Sequence, residues 1–187
     1  WDKDDFPTAS PTPATNAKPV LGHFGALYGA RNAPALWDGL TDSGWVLRAA
    51  GQISEDVLTS MKKSGVELDW QGDLSHAEAI KAMHACDALL VVHNNSASAK
   101  ASTPGKMFEC LATGRPMLVV GPAQGDLEAL CATWGVTFVP HDAHDGQRRI
   151  ESWLHQPAPA PDESFRASCE RHALASELAE LFNSTIS

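Results

Sequence analysis

The chain has 187 residues, 43% of them apolar, enough for one globular domain with a complete core. Its 14 Lys and Arg stand against 23 Asp and Glu, a formal net charge of −9. That balance excludes nucleic acid and anionic lipid as the main partner, but it leaves room for a small anion in a local pocket.

Residues 1–19 carry Pro7, Pro11, Pro13 and Pro19 among Ser, Thr and Ala, the composition of an interdomain linker or leader. The acidic start "WDKDDFP" shows neither a signal peptide nor an initiator Met, and reads as part of something longer. From Val20 onward, short apolar runs alternate with helical patterns. The runs are "VLGHFGAL" (20–27), "WVLRAAG" (45–51), "VELDWQG" (66–72), "DALLVVH" (87–93), "PMLVVGP" (116–122) and "VTFVP" (136–140).

Between them, Ser54 opens a helix with Glu55 and Asp56 in its first turn and Val57, Leu58 and Met61 on its apolar face. Ser75 and Glu78 form a capping box ahead of Ile80 and Met83. Thr103 is the expected N-cap of a helix with Pro104 at its first position and Gly114 at its end, and Asp126 and Asp142 read as further N-caps. After "HQPAPAPD" (155–162) comes one last amphipathic helix with Phe165, Leu174, Leu178, Leu181 and Phe182 near one face.

Six strands joined by helices predict an α/β fold: a doubly wound, six-stranded parallel sheet, Rossmann-like, with a C-terminal helix. The expected division is a leader over 1–19, the sheet domain over 20–156 and the closing helical segment over 157–187. No apolar run is long enough to cross a bilayer. Cys86, Cys110, Cys131 and Cys169 are widely spread without a CxxC pair; the first three sit on apolar stretches, as small buried residues of a reducing, cytoplasmic compartment do. "PHDAHD" contains His141 and His144, which read as solvated turn residues rather than metal ligands, and no metal site is expected. Trp37, Trp45, Trp70, Trp134 and Trp153 are assigned to the core and its edges.

In a sheet of order 3-2-1-4-5-6, ligands bind outside the carboxyl ends of strands 1 and 4, where the winding reverses. The two most unusual loops follow those strands: "GALYGARNAP", with Gly25, Gly29 and Arg31, and the long "HNNSASAKASTPGK", which ends at Lys106. At the helix mouth after the second loop, unsatisfied first-turn N–H groups and the helix dipole favour an anion. Thr103, Gly105 and Lys106 would receive a phosphate there, and Glu109, roughly 5 Å along the axis, would reach a ribose diol. Arg31 would clamp the same phosphates from the other side. The competing reading of Lys106 and Glu109 is an ordinary surface ion pair. His93, at the end of strand 4, reads as a structural or rim residue.

Two nucleotide-binding classes fail on spacing. The glycines after strand 1 are Gly22, Gly25 and Gly29, not G-x-G-x-x-G, and strand 2 ends "AAGQ" without an acid. A P-loop fails because Lys106 is followed by Met107, in a loop after the fourth strand.

The blocks "FGALYGARNAPALWDGL", "DLSHAEAIKAMHACDALLVV", "STPGKMFECLATGRPMLVV" and "WGVTFVPHD", in this order over about residues 20–182, resemble the C-terminal domain of a GT-B glycosyltransferase, with glycosyltransferase family 4 the nearest type. The resemblance implies a donor-binding half that holds a UDP- or GDP-type sugar as substrate, with no separate cofactor and no metal, in a transfer that retains configuration. It implies that Gly25 gives the donor diphosphate room, that Arg31 binds the diphosphate, that Glu109 is the second acid of an E-x7-E pattern holding the ribose, and that backbone around Gly72, Asp73 and Leu74 contacts the base. The first acid of that pattern would fall at Ala101, a departure that bears on the donor sugar. The acceptor site would come from an N-terminal domain absent from this chain, so the fragment is expected to bind donor without transferring it, in the cytoplasm or held at the inner membrane through that domain. A non-catalytic nucleotide-sugar-binding or assembly module, or half of a related epimerase, stays open as the alternative.

Overall fold

Runs such as LLVV (89–92) and MLVV (117–120) have no polar face to offer solvent, so a strand made of them must be covered on both sides. The computed structural model describes residues 1–6 and 17–186 and arranges the chain accordingly. Of the leader expected over 1–19, residues 7–16, with Pro7, Pro11 and Pro13, lie outside the described residues.

The strands are β1 (Val20–Phe24), β2 (Val46–Ala50), β3 (Leu68–Trp70), β4 (Ala88–Val92), β5 (Met117–Gly121) and β6 (Thr137–Pro140). They form one all-parallel sheet in the order β3-β2-β1-β4-β5-β6, the order expected, with the reversal of winding between β1 and β4. β1, β4 and β5 are buried at every position.

The covering helices are α1 (Pro34–Leu40), α2 (Glu55–Ser64), α3 (His76–His84), α4 (Lys106–Ala112), α5 (Asp126–Trp134) and α6 (Gly146–His155). Leu36 and Trp37 of α1, Val57 and Met61 of α2, and Ile150 and Trp153 of α6 pack on one face against Leu21, Leu47 and Leu90. Met83 of α3, Met107 and Leu111 of α4, and Leu127 of α5 pack on the other against Phe24, Leu89 and Val119. Cys86, Cys110 and Cys131 lie in this second layer as free thiols, and burial pushes each up to about 12, so none is a nucleophile at neutral pH.

Helix starts follow tertiary contacts more than local capping. The Ser75–Glu78 capping box is present in both directions. The fourth helix begins at Lys106 with Gly105 as its N-cap, not at Thr103. The chain enters this helix through 3₁₀-type bonds, Met107 N–H to Pro104 O and Phe108 N–H to Gly105 O, at 3.0 and 3.1 Å. The N-cap of α5 is Gly125, one residue before Asp126, where a Cβ would lie 2.8 Å from the Lys100 carbonyl oxygen. The turns after β6 carry the start of α6 past Asp142, leaving Asp145 at its N-cap. Trp70 falls at the edge of the core rather than inside it: it ends the short edge strand β3, is 47% exposed, and donates its indole N–H to Gly51 O at 2.8 Å.

The closing helical segment is two helices, α7 (Glu163–Ser168) and α8 (Arg171–Ile186). The break falls where the Glu170 carboxylate turns back to accept the N–H groups of His172 and Ala173 as a cap. Phe165 of α7 and Phe108 of α4 both meet the Trp134 ring edge-on, at 5.7 and 5.5 Å. Residues 1–6 lie against the start of α8: Arg171 N–H donates to Trp1 O at 2.9 Å, Lys3 N–H to Glu170, and Arg171 pairs with Asp2. Leu174, Leu178, Leu181 and Phe182, 48–61% exposed, form a stripe along α8. Among the described residues, no helix is long and apolar enough to cross a membrane.

Candidate functional site

The two loops singled out by their composition meet at the carboxyl ends of β1 and β4. The loop after β1 leaves through Gly25, whose N–H donates to Ala50 O, and is then tied to the end of β2 by Leu27 N–H to Gln52 O and Ser54 N–H to Leu27 O, all at 2.8 Å. It closes in a 3₁₀ turn over Gly29–Arg31. There Asn95 N–H, from the loop after β4, donates to Ala30 O at 2.6 Å.

Side chains complete the junction. Asn94 Oδ1 accepts from Arg31 Nε at 2.7 Å and from the Tyr28 hydroxyl at 2.9 Å. Arg31 Nη1 donates to Ala26 O at 2.8 Å, and its guanidinium lies 4.9 Å from the centroid of the Tyr28 ring, in cation–π contact. Among the described residues Arg31 has neutral partners only. Its remaining N–H donors and its whole charge are left for something else.

Lys106 and Glu109 stand at the far end of the second loop, paired at 2.5 Å with side chains 34% and 24% exposed. Both therefore reach solvent, and Glu109 keeps one carboxylate oxygen outside the pair. Gly105 is exposed, and a side chain added to it would enter open space, so the approach to this helix start is clear. Thr103 sits in the loop just before it, without a capping bond to the helix.

Beneath these groups lies His23, in β1 and only 4% exposed. Its Nδ1–H donates to Leu90 O at 3.1 Å, leaving Nε2 as a buried lone pair with no partner among the described residues. Burial first, and then the positive charges of Arg31 and Lys106, push it down to about 4. Arg31 closes the loop that leaves β1 and Lys106 starts the helix after the loop that leaves β4, so both belong to the carboxyl end of the parallel sheet. Because the unfolded chain binds a proton here near pH 6.5 and the folded chain does not, stability falls as pH drops from 6.5 towards 4, by about 3 kcal/mol from this group. Acid-dependent chemical denaturation of His23→Gln is expected to show a flatter slope in that window, and an unchanged slope would remove His23 from this role.

His93 is buried and structural, as expected. Its Nε2–H donates to Ala99 O at 3.1 Å and holds the second loop's 3₁₀ turn (Ser98–Ala101) against the sheet. His141 differs from its reading as a solvated residue: it is half-buried, and its Nε2 donates to His93 O at 2.8 Å. His144 is exposed. Ala101 is exposed at the end of the same turn.

Gly72, Asp73 and Leu74 follow β3, two strands from β1 and hence roughly 10 Å across the sheet. They connect to the crevice through glycines: Gly72 O accepts Gly51 N–H at 2.7 Å, and a Cβ on Gly51 would lie 2.8 Å from Gly25 O. Asp73 is exposed, and Leu74 packs against the second core layer. Sequence reasoning did not find Tyr28, Asn94 or the buried His23. The signals available were a lone His within an apolar run and an Asn pair at a strand end. Clefts of about 380 and 460 Å³, lined by residues that include Asp42 and Glu151 and Arg148 and Arg149 respectively, contain none of the crevice residues. Among the described residues, Asp2, Asp4 and His172 are the group close enough to share an ion, at the chain ends and with Asp2 already paired to Arg171.

The sequence matches no protein-family model and no curated protein. The fold is shared with solved glycosyltransferase structures. AviGT4, a glycosyltransferase involved in avilamycin A biosynthesis, superposes with a TM-score of 0.71 at 16% identity, over 98% of this chain and 55% of that one. Anabaena Alr3699/HepE, solved in complex with UDP and glucose, gives 0.64 at 16% identity over 88% and 48%. Sucrose-phosphate synthase from Thermosynechococcus elongatus gives 0.65 at 14% identity over 100% and 51%. The likeness at these identities is one of fold, that of a Rossmann-like GT-B half, and the chain spans about half the length of these proteins.

Proposed function

We propose that this chain is the C-terminal, donor-binding half of a GT-B glycosyltransferase of family 4 type, and that it holds a nucleoside-diphosphate sugar of UDP or GDP type at the junction of the β1 and β4 loops. One observation carries the reading: among the described residues an arginine with neutral partners only closes the loop after β1, and a lysine paired with a half-buried carboxylate opens the helix after the β4 loop, the two loops that flank the reversal of winding. Arg31 and Lys106, with backbone N–H groups from Thr103 to Lys106 and the room left by Gly25 and Gly105, would take the diphosphate. Glu109 would take the ribose diol, and the turn at Gly72, Asp73 and Leu74 would contact the base. Alr3699/HepE, a fold neighbour, was solved with UDP bound, which supports this ligand class.

As the glycosidic bond breaks, negative charge grows on the leaving diphosphate. Arg31 is fixed before that charge appears and would stabilise it without reorganisation, while Lys106 would turn from Glu109 toward the diphosphate, so that the two cations take the place of a metal. The acceptor and the groups that complete a retaining transfer belong to an N-terminal half, against which the apolar stripe of α8 would pack. The isolated chain therefore binds donor and does not transfer sugar, and the assembled enzyme works in the cytoplasm.

Calorimetric titration tests the ligand and the carboxylate together. UDP or GDP binds the wild-type chain, while Glu109→Gln weakens nucleoside diphosphate about tenfold by losing charge-assisted bonds to the ribose. Inorganic pyrophosphate, which has no ribose, binds Glu109→Gln at least as well as wild type, because a repelling charge is gone and Lys106 is released. Equal losses for both ligands would remove Glu109 from the ribose, and no binding of any nucleoside diphosphate would overturn the reading.

A further inference from the structure

Arg31 is held neither as the ion-paired arginines of this acidic chain are nor as Arg149 and Arg166 are, which donate to backbone carbonyls, because a side-chain amide oxygen from another loop fixes its fork. Arg48, Arg148 and Arg171 each hold a carboxylate, those of Asp69, Asp145 and Asp2. Arg31 is anchored instead by the amide oxygen of Asn94, the carbonyl of Ala26 and the face of Tyr28. Asn94 also takes the Tyr28 hydroxyl, so a single oxygen fixes both the guanidinium and the ring beneath it. The donor and acceptor sit 63 residues apart, on the two loops that flank the reversal of winding.

We propose that Asn94 is a positioning and specificity-determining residue of the crevice: a neutral oxygen that locks the Arg31 fork in place while leaving its full charge for an anion. An aspartate at 94 would offer the same acceptor in nearly the same shape, but it would cancel the charge and repel a phosphate. Neutrality at this position therefore selects a polyanionic ligand, where a carboxylate would leave only hydrogen-bonding capacity. With Nε and one edge of Nη1 occupied, the free edge of the guanidinium is pre-oriented, and less rotamer freedom is lost when the ligand binds. This inference rests on the donor-site reading for the identity of the anion.

The test separates geometry from charge. UDP is titrated against wild type, Asn94→Asp, Asn94→Ala, Arg31→Ala and the Asn94→Ala/Arg31→Ala double variant, with Tm measured for each, and the Arg31 Nε–H resonance is followed by ¹H–¹⁵N NMR. Asn94→Asp is expected to keep or raise Tm and to weaken UDP by tenfold or more, a split that a merely structural asparagine would not produce. Asn94→Ala is expected to weaken UDP several-fold only while Arg31 is present, and to speed solvent exchange of the Nε–H. An Asn94→Asp variant that binds UDP as wild type does, or an Asn94→Ala loss equal with and without Arg31, overturns the proposal alone. Failure of the wild-type chain to bind UDP overturns the donor-site reading and the charge argument with it, while an Nε–H signal indifferent to Asn94→Ala overturns the lock independently.

Discussion

Replacing Arg31 with alanine is expected to weaken nucleoside-diphosphate binding by about 30- to 100-fold, the equivalent of roughly 2–3 kcal/mol for charge-assisted bonds to a phosphate. Fold stability should move by less than about 1 kcal/mol, because the bonds that Arg31 makes within the chain are to neutral acceptors at a part-exposed site. Arg31→Lys keeps a point charge but loses the fork, so it cannot serve Asn94, Ala26 and a phosphate together, and it should recover less than half of the lost free energy. Titration calorimetry with UDP, run beside thermal melts, reads both quantities. An Arg31→Ala chain that binds within twofold of wild type would place the diphosphate elsewhere.

The second large effect comes from a residue that acts through backbone packing. Gly51 follows β2 directly at φ +111°, and a Cβ there would sit 2.8 Å from the carbonyl oxygen of Gly25 and 2.9 Å from its carbon. Both obstacles are backbone, which cannot rotate away as a side chain can. Gly51→Ala should therefore cost roughly 2–4 kcal/mol in stability, lower Tm by about 10 °C, and displace the turn at Gly25 on which the β1 loop depends. Gly44→Ala is the matched control: its φ is +79°, but nothing lies within 4 Å of the added atom, so it carries conformational strain alone. Differential scanning calorimetry of the two variants decides the matter. Equal melting temperatures would mean that the Gly25–Gly51 approach is not a constraint.

Much of the architecture was legible because the central strands are continuous apolar runs: the predicted 87–93 and 116–122 enclose Ala88–Val92 and Met117–Gly121. The edge strand read least well, since 66–72 contracts to Leu68–Trp70, where Asp69 pairs with Arg48 and Trp70 lies out on the surface. Helix starts were misread wherever a distant backbone decided them. Gly125 rather than Asp126 caps α5 because Lys100 leaves no space for a side chain, a fact that local sequence does not contain. For the crevice, the charged parts stood out: Arg31 on one unusual loop, Lys106 and Glu109 at the end of another. The neutral parts did not. Asn94 and Tyr28 are unremarkable turn residues until the sheet order brings positions 28, 31 and 94 together, and His23 is an apolar-run oddity until its neighbours are known.

The bonds that join Trp1, Asp2 and Lys3 to residues 166–171 span separations of 165–170 positions, whereas the Arg31–Asn94 and Tyr28–Asn94 bonds span 63 and 66. Closing the longer circuit costs more chain entropy than closing the shorter one, though only slowly with length, and few bonds hold it. The crevice owes nothing to it. A local opening of that seam would therefore leave the bonds between the two crevice loops intact.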